Sequence, residues 1–160
     1  MKRQILLKLS EARRLSFSFT FVVMALAMGS CVRSLDDQLV AAAYEGDTTR
    51  VQALLQKGAN VEAHARDDWT PLTIAAREGH NDAMLALLKA GAKPNSTEGG
   101  GNTALFWATY YRHVDTVRLL IANGADVNHR CGHCKSALQV AMERNYAELV
   151  EVLRKAGAVG

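Results

Sequence analysis

From Leu39 onward the apolar positions fall into short helical stripes separated by polar turns. Leu72, Ala75 and Ala76 stand at i, i+3 and i+4, and Met84, Leu87 and Leu88 do the same a few residues later. That spacing places each trio on one face of a helix. Thr70 is suited to cap the first helix, and Pro71 fits its first position, where a missing N–H costs nothing. Gly79-His80 turns the chain, the second helix is predicted over about Asn81 to Lys89, and Gly91 offers the left-handed residue that ends it. The polar stretch from Ala92 to Asn102 is too short for another helix and reads as a projecting hairpin.

The unit then recurs. Gly58, Gly91, Gly124 and Gly157 are 33 residues apart, as are Thr70, Thr103 and Ser136, and Ala42, Ala75, Ala108 and Ala141. Extrapolation backward starts a first unit at Asp37, with Leu39 as its first apolar position. No unit of this size buries its own apolar face, so neighbours must stack to make a continuous core.

The pattern Thr-Pro-Leu, Ala-Ala, Gly-His, Leu-Leu, Gly-Ala is complete in Thr70–Gly91 and continues through Thr103-Ala104-Leu105, Leu119-Leu120 and Gly124-Ala125-Asp126-Val127-Asn128. It resembles the ankyrin repeat. The resemblance implies an all-α solenoid of four helix-turn-helix repeats with projecting loops, at about 37–69, 70–102, 103–135 and 136–160. Three departures stand out. The turn glycine of Gly46 and Gly79 becomes Arg112 and then Asn145, which either strains the turn or changes it. The histidine common after the opening leucine is replaced by Val40, Thr73, Phe106 and Gln139, and Trp107 stands where a medium aliphatic is usual.

The same resemblance implies a protein-binding module without chemistry or cofactor, recognising its partner through the loop tips and the concave edge of the first helices. Transferred to this chain, that surface comprises Tyr44, Arg66, Asp67, Trp69, Arg77, Asn102, Tyr110, Tyr111, His133, Lys135 and Arg144. Trp69 and Tyr111 are the expected anchors, because Trp, Tyr and Arg dominate interface hot spots. A monomer is expected, and the partner protein is not named by the sequence.

Charge changes the picture at the N-terminus. The formal net charge is +3, yet residues 1–30 hold Lys2, Arg3, Lys8, Arg13 and Arg14 against Glu11 alone. Residues 31–160 hold 14 basic and 15 acidic side chains and no basic stripe, so nucleic acid is not an expected partner. The uncharged run Leu15–Ser30 is 16 residues. As a helix it would reach about 24 Å, short of a hydrocarbon core of roughly 30 Å. Basic residues, an apolar run and small residues before a cut describe a secretory signal. Met28-Gly29-Ser30-Cys31 resembles the lipobox of bacterial lipoproteins. It implies a signal peptide over 1–30, acylation of Cys31, a tether over 31–36 before the 37–160 domain, and anchorage facing the periplasm. Val32, where an Asp would resemble an inner-membrane retention signal, points to the outer membrane. An uncleaved anchor and ordinary signal cleavage are the alternatives.

Cys131-Gly132-His133-Cys134 is the other distinctive motif. In an oxidising compartment a small disulfide between Cys131 and Cys134 is expected, with free thiols, a metal site using His129 or His133, and thiol redox activity as alternatives. Gly99-Gly100-Gly101 reads as a relaxed loop rather than a phosphate loop, having no Lys-Ser/Thr after it. No nucleophile, base and orienter converge, so a catalytic role is not expected. A structural or protective accessory to an envelope enzyme, such as one dealing with oxidative stress, is the second functional expectation.

Acylation is tested directly by the mass of protein taken from its membrane. Cleavage before Cys31 with added fatty-acyl mass and a blocked α-amine is the expected result, and an intact chain beginning at Met1 would refute it.

Overall fold

The computed structural model describes residues 34–130 and 135–159. The signal and Cys31 expectations lie outside these residues, as do residues 31–33 of the expected tether and the expectations on Cys131, His133 and Cys134; residues 34–36 of that tether are the cap and first turn of a helix. Among the described residues eight α-helices form four pairs: α1 (Leu35–Glu45) with α2 (Thr48–Gln56), α3 (Pro71–Glu78) with α4 (Asn81–Lys89), α5 (Ala104–Tyr110) with α6 (Val114–Ala122), and α7 (Ala137–Glu143) with α8 (Ala147–Lys155). None of these helices is long and apolar enough to cross a membrane.

The first helices stack in the order α1, α3, α5, α7 and the second helices in the order α2, α4, α6, α8. Ala42, Ala75, Ala108 and Ala141 are fully buried along the inner row, where a small side chain lets neighbouring backbones approach. Leu39, Leu72, Leu105 and Leu138 fill the space beside them, and Leu54, Leu87, Leu120 and Leu153 form the corresponding row on the second helices. All belong to one continuous core. Burying a leucine contributes about 1.5–3 kcal/mol, so these rows are the main source of cohesion.

Caps fix where each inner helix begins. Thr70, Thr103 and Ser136 accept from the backbone N–H three residues on, and Pro71 occupies the first turn as expected. In α3 and α7 the replaced histidine position is put to use, because Thr73 and Gln139 complete reciprocal capping boxes. Phe106 cannot do so and turns toward other rings instead. The first helix keeps the extrapolated register at Leu39 and Ala42 but begins earlier than Asp37. Ser34, boxed with Asp37, caps it, so α1 starts at Leu35 and is 11 residues long against 7 or 8 for its successors.

The connecting segments, numbered by the helix pair that each precedes, are compact hairpin loops. The second is closed by Ala65 N–H donating to the Trp69 carbonyl at 2.8 Å around a 3-10 turn, Arg66–Asp68. The third carries an isolated bridge, Thr97 to Thr103. What replaces strand pairing is a side-chain ladder between loops. Asn95 accepts from Asp126 N–H at 2.7 Å and donates to the Gly124 carbonyl, and Asn128 does the same with Val159 N–H and Gly157. Glu62, one repeat earlier, has no donor, and accepts instead from Lys93 N–H and the Ser96 hydroxyl.

The turn between paired helices keeps its left-handed backbone throughout, with φ 72 at Gly46, 78 at Gly79, 64 at Arg112 and 57 at Asn145. The two glycines serve a second purpose. His80 lies over the first turn and donates Nε2–H to the Tyr44 carbonyl at 3.0 Å, and His113 lies over the second and donates to the Arg77 carbonyl at 2.9 Å. A Cβ on Gly46 would stand 2.6 Å from His80 Nδ1, and one on Gly79 would stand 2.8 Å from His113 Nδ1. At the third turn the descending residue is Tyr146, and there Arg112 is tolerated, its guanidinium 5.4 Å from the tyrosine ring centre. Glycine is therefore required where a histidine comes down on the turn.

Replacing Gly58 by Ala incurs only backbone strain, since φ is 91 and a Cβ there meets nothing within 4 Å. Gly79→Ala adds the ring clash, so we expect losses of about 1 and about 2–3 kcal/mol respectively in urea unfolding. In a His113→Ala background the cost of Gly79→Ala should fall to that of Gly58→Ala. Equal costs for the two glycines in the parent chain would refute the account.

Candidate functional site

The ends of the inner helices carry a strip of rings and guanidinium groups. Trp107, Tyr110 and Tyr111 stand at i, i+3 and i+4 of α5 and its cap, which puts them on one helix face. Trp107 is the hub. It lies 5.0 Å from Trp69 of the preceding loop, 5.3 Å from Phe106, 5.7 Å from Tyr110 and 6.2 Å from Tyr111. Aromatic pairs of this kind add about 0.5–1.5 kcal/mol beyond area burial. The Trp107 indole N–H is buried without an acceptor, the one such side-chain atom among the described residues.

Arginines alternate with the rings. Arg77, in the last turn of α3, is 5.3 Å from the Trp69 ring centre and 5.5 Å from that of Tyr111. The hydrogen bond it donates to the Tyr111 hydroxyl raises its pKa further, partial burial opposes this, and Glu78 and Tyr44 add smaller upward pushes. Arg144 lies 3.7 Å over Tyr110. Its pKa is also raised, first by a hydrogen bond to Tyr146, with desolvation opposing. Both remain charged at any pH the fold meets.

Carboxylates on the same edge are already engaged. Glu45 meets Arg50 at 3.0 Å, Glu78 meets the Nε of Arg77 at 3.5 Å, and Glu143 meets Lys135 at 2.6 Å. Lys135, Glu143 and Arg144, with Asn102, form the rim of a cleft of about 460 Å³ whose floor is Phe106, Tyr110 and Val140.

Of the residues singled out from the sequence, Trp69, Arg77, Tyr110, Tyr111 and Arg144 are thus brought together in the strip, and Asn102 and Lys135 border it at the cleft. Tyr44 is 58% exposed at the end of α1, and Tyr111 is 44% exposed. Trp69 is half-buried, so as an anchor it offers less free surface than either tyrosine. Arg66 and Asp67 sit apart on the second loop, in the 3-10 turn. Asp67 has φ 57 and its carbonyl accepts from Gly99 N–H at 2.7 Å, so its backbone ties two loops together.

Two features escape a reading of the sequence. The glycine run is not a relaxed loop: Glu98, 8% exposed, turns its carboxylate inward and accepts from Gly100 N–H, Asn102 N–H and the Asn102 side-chain amide. The signal for it is an acid directly before three glycines, whose N–H groups can converge on a carboxylate. His129 belongs to the same loop system, donating Nε2–H to the Gly101 carbonyl at 3.0 Å. Among the described residues no group of His, Cys, Asp and Glu is placed to hold a metal ion.

A family model described as Ankyrin repeats (3 copies) matches residues 22–98, 39–131 and 96–159. No curated protein matches the chain.

The Glu98 carboxylate is a testable clamp on the third loop. Glu98→Gln exchanges one acceptor oxygen for a donor facing N–H groups, and should lower stability by about 1–3 kcal/mol. Amide exchange at Gly100 and Asn102 should accelerate in the variant, and unchanged exchange there would show that the loop does not depend on this side chain.

Proposed function

Because the chain belongs to the ankyrin-repeat family, we propose that it binds another protein along the aromatic and arginine strip while held in the bacterial cell envelope by a lipid on Cys31. Ankyrin repeats are generally protein–protein interaction modules and typically non-catalytic. The observation that carries the reading is the exposure of Tyr44 and Tyr111 on the edge where Arg77 and Arg144 lie against rings. Exposed aromatics beside desolvatable arginines have the composition of an interface hot spot. The rigid inner helices also hold them without further ordering, which limits the entropy lost on association.

The domain works as a monomer and offers this edge to its partner. The lipobox-like Met28–Cys31 supports the envelope location, and Val32 supports the outer membrane. A partner in the same compartment is the corollary of that placement.

Capture of crosslinked partners from intact envelopes is the experiment that decides it. Tyr111→Ala should weaken retention of the captured partner by about tenfold or more, the effect of losing roughly 1.4 kcal/mol at a hot spot. The domain should stay folded in this variant, losing about 1–2 kcal/mol with the ring contacts to Trp107 and Tyr110. Equal capture by the parent, Tyr44→Ala and Tyr111→Ala would remove this edge as the binding surface.

A further inference from the structure

We propose that the segment bound on this edge is acidic, and that its carboxylates are received by Arg144 on the rim of the cleft between the third and fourth repeats and by Arg112 in the turn after α5. The inference rests on the protein-binding reading above and adds the chemistry of what is bound.

Charge accounting along the edge carries it. Glu45, Glu78 and Glu143 each already hold a cation, namely Arg50, Arg77 and Lys135. Arg112 and Arg144 have no carboxylate within ion-pair distance among the described residues. Both lie against rings instead: Arg112 is 5.4 Å from the Tyr146 ring centre, and Arg144 stacks 3.7 Å over Tyr110. A ring face holds a guanidinium in place but leaves much of its N–H edge free. That edge presents parallel donors at the spacing of a carboxylate's two oxygens.

The cleft shapes the rest. Phe106, Tyr110 and Val140 give it an apolar floor, on which the aliphatic stem of an Asp or Glu can lie while its carboxylate reaches the rim. Residues 31–160 hold 14 basic and 15 acidic side chains, and in the lining of this cleft two cations, Lys135 and Arg144, meet one acid, Glu143. A nucleic acid or an anionic membrane would instead call for a basic stripe or field. An acidic peptide segment matches both the narrow charge and the apolar floor.

Selection of a random peptide display library on the immobilised full-length protein tests this. We expect enrichment of Asp- and Glu-bearing peptides. Their affinity should fall about tenfold in Arg144→Ala, the scale for losing a charged hydrogen-bonded contact. It should fall in Arg112→Gly, which keeps the left-handed turn, and rise about twofold to threefold in Glu143→Gln, which frees Lys135. The gain in Glu143→Gln cannot come from misfolding. Enrichment of neutral or basic peptides that still depend on Tyr111 would overturn the acidic preference and leave the binding surface standing. Acidic peptides insensitive to both arginine variants would overturn the assigned site. No enrichment at all would count against this inference and the binding reading together. Binding of phosphatidylglycerol vesicles through the same arginines, without peptide enrichment, would replace the peptide by a membrane.

Discussion

Each pair of helices leaves one apolar face that only the next pair can cover, and the array exists because four such faces are placed in register. The fully buried alanines at 42, 75, 108 and 141 mark the line along which backbones come closest. Side-chain volume at those positions sets the distance between repeats. Every longer contact depends on that distance: the histidine that reaches the previous turn, the asparagine that reaches the next loop, and the arginine that reaches a ring one repeat away. A methyl group's difference at the alanine row would shift all three.

The exposed edge inherits its order from this spacing. Trp69, Arg77, Trp107, Tyr111, Tyr110 and Arg144 come from four repeats, yet rings and cations alternate because equivalent positions are brought side by side. Residues occupying one register therefore become neighbours in space, and variation within a register becomes variation along a surface. The framework can stay constant while the strip changes its chemistry from one end to the other.

Much of this is legible in the chain. Thr70-Pro71 locates the start of α3, the recurring Gly-Ala pairs locate the loops, and the Ala and Leu registers locate the core. Extrapolation places Leu39 and Ala42 correctly in the first unit but not its cap, which is Ser34, with Asp37 only completing the box. An arginine in place of a turn glycine looks costly when φ alone is weighed. Its tolerance depends on what descends from the next repeat, a relation between Arg112 and Tyr146 that periodicity does not express. Glu98 is hidden for a similar reason. An acid before three glycines looks like loop composition until the backbone N–H groups are seen to converge on it. Tyr44, Tyr110 and Tyr111 are visible as aromatics at helix ends, but the sharing of Arg77 between Trp69 and Tyr111 is a contact across repeats.

The exchange of His for Tyr at position 146 has a mechanical side. The first two seams of the array are fastened by a histidine ring bonded to a carbonyl, and the third is fastened by a guanidinium resting on a phenol ring. A cation on a ring face slides and tilts at little cost, whereas a hydrogen bond into a backbone carbonyl is directional. On the loop side Asn128 still ties the fourth unit through Gly157 and Val159, so the third seam is the one whose helix-end fastening can change its ring or its cation without losing a bond to the backbone.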